Sequence, residues 1–178
     1  MRHPYRTRRR RTVALATGAL LVTGLALSAP ASAAASGAAA APSVRTQTPL
    51  VVNARWGGHC TYDRIVIDLQ GAAPPVTVTP VSQLVYDGSG KPVPLAGKHF
   101  LEIRLHPAAG HDDAGQNVYQ GPRLQQIHLS KLKGLALTGD YEGYVTFGAA
   151  FDTPPAFTTS VLHSPERYVV DIAHPNTC

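Results

Sequence analysis

Eight consecutive residues, His106-Pro-Ala-Ala-Gly-His111-Asp112-Asp113, gather two imidazoles and two carboxylates. Those groups ligate Zn²⁺ by type, so a small metal-dependent enzyme with its site between His106 and Asp113 is one reading of the chain. The spacing does not support it well. It is not H-E-x-x-H, and it does not match the twelve-residue calcium loop. Asp112-Asp113 ahead of Ala-Gly fits an ordinary polar turn, closed by Asx hydrogen bonds to the backbone, and that account is preferred. No metal and no other cofactor is expected. Nucleophilic catalysis has still less to stand on: there is no G-x-S-x-G elbow, and neither cysteine sits in a reactive-looking setting. The chain reads as a non-enzyme.

Aromatic residues give the better functional hint. Trp56, Tyr62, Tyr86, Tyr119, Tyr141 and Tyr144 sit at strand ends or beside turns rather than inside the apolar runs. A flat ring with a polar tip suits sugar faces and polymer surfaces. Trp56, Tyr141 and Tyr144 are the expected ligand-binding residues, on an exposed sheet face or loop rim rather than in a deep pocket. For any one of them, a place in the core or at its rim is the plainer account.

Two cysteines remain to be placed, Cys60 and Cys178. An even pair in an exported chain is expected to be bridged. Export is predicted by the N-terminus. Six arginines between Arg2 and Arg11 precede an apolar run from Val13 to Leu27, and Ala31-Ser32-Ala33 offers a small-residue cleavage site. This is the pattern of a secretory signal peptide over residues 1–33. The apolar run is short of the ~20 residues of a membrane span. Residues 34–49, rich in Ala, Ser, Gly, Pro and Thr, read as a flexible tether.

Charge follows from this division. The whole chain carries 16 Lys+Arg against 11 Asp+Glu, a net +5. The six arginines of the leader account for the excess. Ten basic residues then face eleven acidic ones, a net charge of −1 for residues 34–178. Nucleic-acid binding requires a basic patch or stripe, and none is visible.

The elements that must position these residues are all strands. Leu50 to Arg55, Arg64 to Leu69, Val76 to Tyr86, His99 to Leu105, Leu124 to Leu129, Leu135 to Leu137, Tyr144 to Phe151, Phe157 to Leu162 and Arg167 to Ala173 are candidates, separated by Gly/Pro/Asp turns. Leu101, Ile103 and Leu105 alternate with Glu102 and Arg104. Val145, Phe147, Ala149 and Phe151 alternate with Tyr144, Thr146 and Gly148. The window from Leu124 to Leu132 is also compatible with a short helix. Two strands resemble each other: aligned without a gap, Arg64-Ile-Val-Ile-Asp-Leu69 matches Arg167-Tyr-Val-Val-Asp-Ile172. Side chains alternate along a strand, so Ile65, Ile67 and Leu69 share one face, as do Tyr168, Val170 and Ile172. Short strands with turn chemistry between them predict an all-β, two-sheet β-sandwich over residues 50–178, with an internal strand repeat.

Four segments carry a resemblance: Tyr62-Asp-Arg-Ile-Val-Ile-Asp-Leu69, Leu101-Glu-Ile-Arg-Leu-His-Pro107, Gly139-Asp-Tyr-Glu-Gly-Tyr-Val-Thr-Phe147 and Ser164-Pro-Glu-Arg-Tyr-Val-Val-Asp-Ile172. Together they resemble the actinobacterial AMIN-like domain family of secreted proteins, from about Asn53 to Pro175. The closing segment is similar to the end of the wider AMIN family, the non-catalytic modules attached to cell-wall amidases and pilus secretins. The resemblance implies a two-sheet sandwich, envelope targeting and binding to peptidoglycan, with no catalytic residues to carry over. A cell-wall module, located outside the cell, is therefore the expected function. A soluble extracellular protein-interaction or regulatory domain is the alternative, with a secreted protein as its partner. No membrane span is expected in residues 34–178.

Overall fold

The computed structural model describes residues 47–178, so the expected signal peptide and the tether up to residue 46 lie outside the described residues. The described chain forms nine strands and no helix. They are β1 (Leu50–Gly58), β2 (Tyr62–Gln70), β3 (Val76–Val81), β4 (His99–Leu105), β5 (Leu124–Gln126), β6 (Leu132–Tyr141), β7 (Tyr144–Phe151), β8 (Phe157–Leu162) and β9 (Arg167–Ala173). One sheet has the order β1-β2-β9-β8 and the other β3-β4-β7-β6-β5. All pairings within them are antiparallel. The sandwich expected from the alternation is therefore the fold. Period-two side chains from the two inner faces fill one core.

The repeated strands β2 and β9 are neighbours at the centre of the four-stranded sheet. Val66 lies opposite Val169, Ile65 opposite Val170 and Ile67 opposite Tyr168. That register makes a local two-fold between the copies, and the expected inner faces are right. Ile65, Ile67, Leu69, Tyr168, Val170 and Ile172 are all buried in one cluster with Leu101, Ile103, Leu105, Val145, Phe147 and Phe151 of the other sheet. Each such side chain contributes roughly 1.5–3 kcal/mol of burial. On the outer face the two-fold is broken. Arg64 forks onto Asp171, opposite it, at 2.6 and 2.7 Å. The related pair, Arg167 and Asp68, does not form: Asp68 is instead held by Arg55 of β1 at 2.9 Å through both oxygens, and Arg167 donates to the Pro165 carbonyl at 3.0 Å.

Five strands depart from the sequence reading: β1 and β2 run longer than expected, β5 is shorter, and β3 and β6 differ for one connected reason. The strand expected from Val76 to Tyr86 ends at Val81. The chain from Ser82 to Gly97 then crosses the outer face of the five-stranded sheet as a strap. Leu84, Val93 and Leu95 bury there against Ala136 and Ala150, making a second small core. The floor under the strap is glycine. A Cβ on Gly148 would meet Leu84 at 2.6 Å, and one on Gly134 would meet Leu95 at 2.6 Å. Hence β7 is buried on both faces rather than half-exposed, and Thr146 is fully buried. β6 runs ten residues instead of the three expected, with irregularities beside Gly134 and Gly139. The glycines that hid this strand in the sequence are what let the strap lie down. The ambiguous window from Leu124 to Leu132 holds no helix: it forms β5 over Leu124–Gln126, Ile127 turns into the main core, and the chain then bends through Leu129 to Lys131 before β6.

Two devices fasten the end of the sandwich where β9 finishes. Cys60 and Cys178 are joined, with Cα atoms 5.1 Å apart across 118 residues of sequence, as expected. Thr177 and His174 donate backbone N–H groups to Cys60 and Thr61 at 2.8 and 2.9 Å. Asp63 is fully buried. Its Oδ2 accepts from the backbone N–H groups of Lys131 and Leu132 at 2.6 and 2.8 Å, tying β2 to the start of β6 in the other sheet. Its Oδ1 faces His174 Nε2 at 3.4 Å.

Candidate functional site

The β6–β7 connection lies at the opposite end of the molecule. The β6–β7 hairpin turns through Glu142 and Gly143, both at positive φ (50° and 79°), the two-residue geometry that matches strand twist. This turn leaves Asp140 and Tyr141 at the last positions of β6. The adjacent segment from Gly110 to Gln120 folds back on itself. Gly110 O accepts from Val118 and Tyr119, and Asp112 Oδ1 accepts from the N–H groups of Ala114 and Gln116 at 2.9 and 2.8 Å. The Asx turn expected at Asp112 is present.

Asp140 joins hairpin and segment. Its Oδ1 accepts from Gly110 N–H at 2.9 Å and its Oδ2 lies 3.0 Å from His111 Nδ1. The carboxylate can only accept when ionised, so Nδ1 donates. That hydrogen bond, and then the charge of Asp140, raise the His111 pKa above its ordinary 6.5. Arg123 donates to Asn117 Oδ1 at 2.9 Å, and Asp87, delivered by the strap, accepts from Thr146 at 3.0 Å. Tyr86, Asp87, His111, Arg123, Asp140 and Tyr141 thereby line one cleft of about 690 Å³. A second, of about 660 Å³, shares His111 and Gly115 and runs along Gln47, Thr48, Leu50 and Asp112 to Ala114. The two form an open groove on either side of the Asp112–Gln116 turn.

The aromatic residues singled out in the sequence separate. Tyr141 is 70 % exposed and lines the groove. Tyr144, which follows Gly143 and opens β7, is 39 % exposed but stacks on His106, centroids 4.0 Å apart and planes 18° apart, with Arg104 over its ring at 5.7 Å. Trp56 lies on β1 opposite Ile65 and packs partly buried against the main core. It sits six residues, roughly 20 Å of strand, from Leu50, which lines the groove. Trp56 is thus not brought together with the two tyrosines. Tyr119 is a core residue, tilted over Phe147, its hydroxyl donating to Pro122 O and its pKa pushed up to about 12 by burial. His106 and His111 do not converge: one stacks on Tyr144 and the other pairs with Asp140. Among the described residues no group of three or more His, Cys, Asp or Glu side chains could hold a metal ion.

Sequence reasoning missed Asp140, Arg123 and Asn117. The available signal was local: Asp140-Tyr141 immediately before Glu142-Gly143 marks a strand end that projects polar and aromatic groups at a hairpin rim.

The fold and the groove define an all-β sandwich domain with an open, mixed polar and aromatic surface site at one end. Among the described residues no helix is long and apolar enough to cross a membrane. The chain belongs to the AMIN-like domain family, whose model matches residues 49–174. No curated protein and no solved structure matches it.

Proposed function

We propose that the chain is a secreted, non-catalytic module that binds cell-wall material, peptidoglycan in particular, through the groove at the Tyr141 end. The observation that carries the reading is the pairing of family membership with this groove, in which Tyr141 stands 70 % exposed beside Tyr86, Asn117 and Arg123. A polymer cannot enter a closed cavity, and an open groove with a ring and several hydrogen-bonding groups suits a glycan or its peptide. The Cys60–Cys178 bridge fits an oxidising compartment outside the cytoplasm.

The chemistry of the groove supports a binding role. His111 and Asp140 form an imidazole–carboxylate pair, but the larger cleft has no serine or cysteine in its lining. Its Thr138 hydroxyl donates to the Thr146 carbonyl at 3.2 Å. A base oriented by an acid needs a nucleophile within reach to make the acyl-transfer arrangement.

Co-sedimentation with purified wall sacculi at moderate salt tests the reading. The protein is expected in the pellet. Tyr141→Ala should weaken binding about tenfold, the scale of an exposed aromatic anchor, with unchanged melting temperature, while Trp56→Ala should lower melting temperature instead. A protein that stays in the supernatant removes the proposal.

A further inference from the structure

The four sheet edges of the sandwich are not treated alike. β1 is covered over its first part, where Val51 donates to Ala109 O and Gln120 donates to Val52 O, and the rest of the strand carries Arg55, Gly57 and Gly58. β5 is only three residues long. β3 carries Pro80, and its position is informative. His106 N–H donates to Pro75 O, so alternate residues Pro75, Thr77, Thr79 and Val81 face β4, and Pro80 takes an outward position where it removes a donor from the open edge. β8 has none of these protections among the described residues. Its six residues, Phe157-Thr-Thr-Ser-Val-Leu162, contain no charge, no proline and no glycine.

The outward groups of β8 follow from the ladder. Ala173 N–H donates to Ala156 O, so Ala156, Thr158, Ser160 and Leu162 exchange bonds with β9. Phe157, Thr159 and Val161 therefore turn their N–H and C=O groups to the free edge. Their side chains fall on the core side, with Phe157 packed against the main cluster. Yet Thr159 is exposed and Val161 is 38 % exposed. The second sheet stops short of β8 and leaves an unroofed strip beside the edge.

We propose that the β8 edge is a pairing surface for a second copy of this chain, joined antiparallel about a two-fold through Thr159. The edge is self-complementary in that register. Thr159 meets Thr159 of the second copy, and Phe157 meets the second copy's Val161 on each side of the axis. All three pairs are of the hydrogen-bonded kind, so six backbone bonds form. Aromatic–β-branched pairs cross the axis on the core side, where Val161 is bare, and aromatic with β-branched residues is a favourable cross-strand combination. No charge on the strand opposes itself. Because the interface is isologous and the other edges are blunted, assembly closes at two and does not propagate. The two four-stranded sheets become one of eight strands. This inference does not rest on the wall-binding reading, since the groove lies elsewhere.

The test is sedimentation of the purified chain from about 1 µM to about 1 mM, the range of weak association. A monomer–dimer equilibrium is expected. Thr159→Lys and Thr159→Glu each place like charges opposite one another at the axis, and each alone should stay monomeric with its melting temperature kept, Thr159 being exposed. An equimolar mixture of the two should recover the dimer as a heterodimer, which a merely unfolded or sticky variant would not do. A wild-type chain that remains monomeric over the range overturns the proposal and leaves the edge to a different partner. So does a Thr159→Lys variant that dimerises like wild type, or a mixture that stays monomeric.

Discussion

Asp140 shows how one side chain can organise a site that no local motif announces. By accepting from Gly110 N–H and from His111 Nδ1 it fixes the backbone of one loop and the tautomer of one imidazole together. The raised His111 pKa has a definite sign for stability. Its contribution is fully present below the ordinary imidazole value of 6.5 and is lost as pH rises through the higher folded value. An NMR titration should place the His111 midpoint above 6.5, and Asp140→Asn should return it towards that value. A midpoint indifferent to the substitution would show that the pair is not formed in solution. Asp63 makes the complementary case for burial. Its carboxylate takes two backbone donors from Lys131 and Leu132, and Asp63→Ala would leave both N–H groups unpartnered in the interior. Equilibrium denaturation should record a loss of roughly 2–4 kcal/mol; a loss under 1 kcal/mol would mean that water reaches this corner.

At the scale of elements the strap from Ser82 to Gly97 matters most. It converts the outer face of the five-stranded sheet into a second buried layer, and it delivers Tyr86 and Asp87 to the groove. Its seat depends on missing side chains. At Gly139 a Cβ would collide with the Asp87 carboxylate, closer than any real contact. Gly139→Ala should therefore displace Asp87 from Thr146 and cost roughly 1–3 kcal/mol, as overpacking does. Denaturant midpoints of wild type and variant measure it. Equal midpoints would mean that the strap is loose over this residue.

For the whole molecule, the Cys60–Cys178 bridge links the β1–β2 turn to the segment after β9 across 118 residues. On the chain-entropy account a loop of that size restricts the unfolded state by about 4–5 kcal/mol. The tail is also held by backbone bonds at His174 and Thr177, so reduction should lower stability without unfolding the native sheet order. Thermal melts with and without reductant are expected to differ by about ten degrees or more, at a few degrees per kcal/mol for a domain of this size. Indistinguishable melts would assign the work of holding the tail to those backbone bonds and Asp63.

Alternation by itself determined much here. β4, β7, β8 and β9 carry clean apolar periods or β-branched runs bounded by turns, and their limits agree with the structure residue for residue. The repeat between Arg64 and Arg167 likewise announced two equivalent strands, and the cysteine pair announced its bridge. What alternation cannot register is a third layer. Gly134 and Gly139 look like strand breakers when only neighbours in sequence are considered, and the strap residues they make room for, Leu95 and Asp87, lie about forty to fifty residues away. The groove was equally illegible, for the same reason. His106 and His111 are close in sequence but are drawn apart by different partners far downstream, Tyr144 and Asp140. Period and turn chemistry are local and survive in a single sequence; which polar groups meet is settled by long-range packing, and only the folded chain decides it.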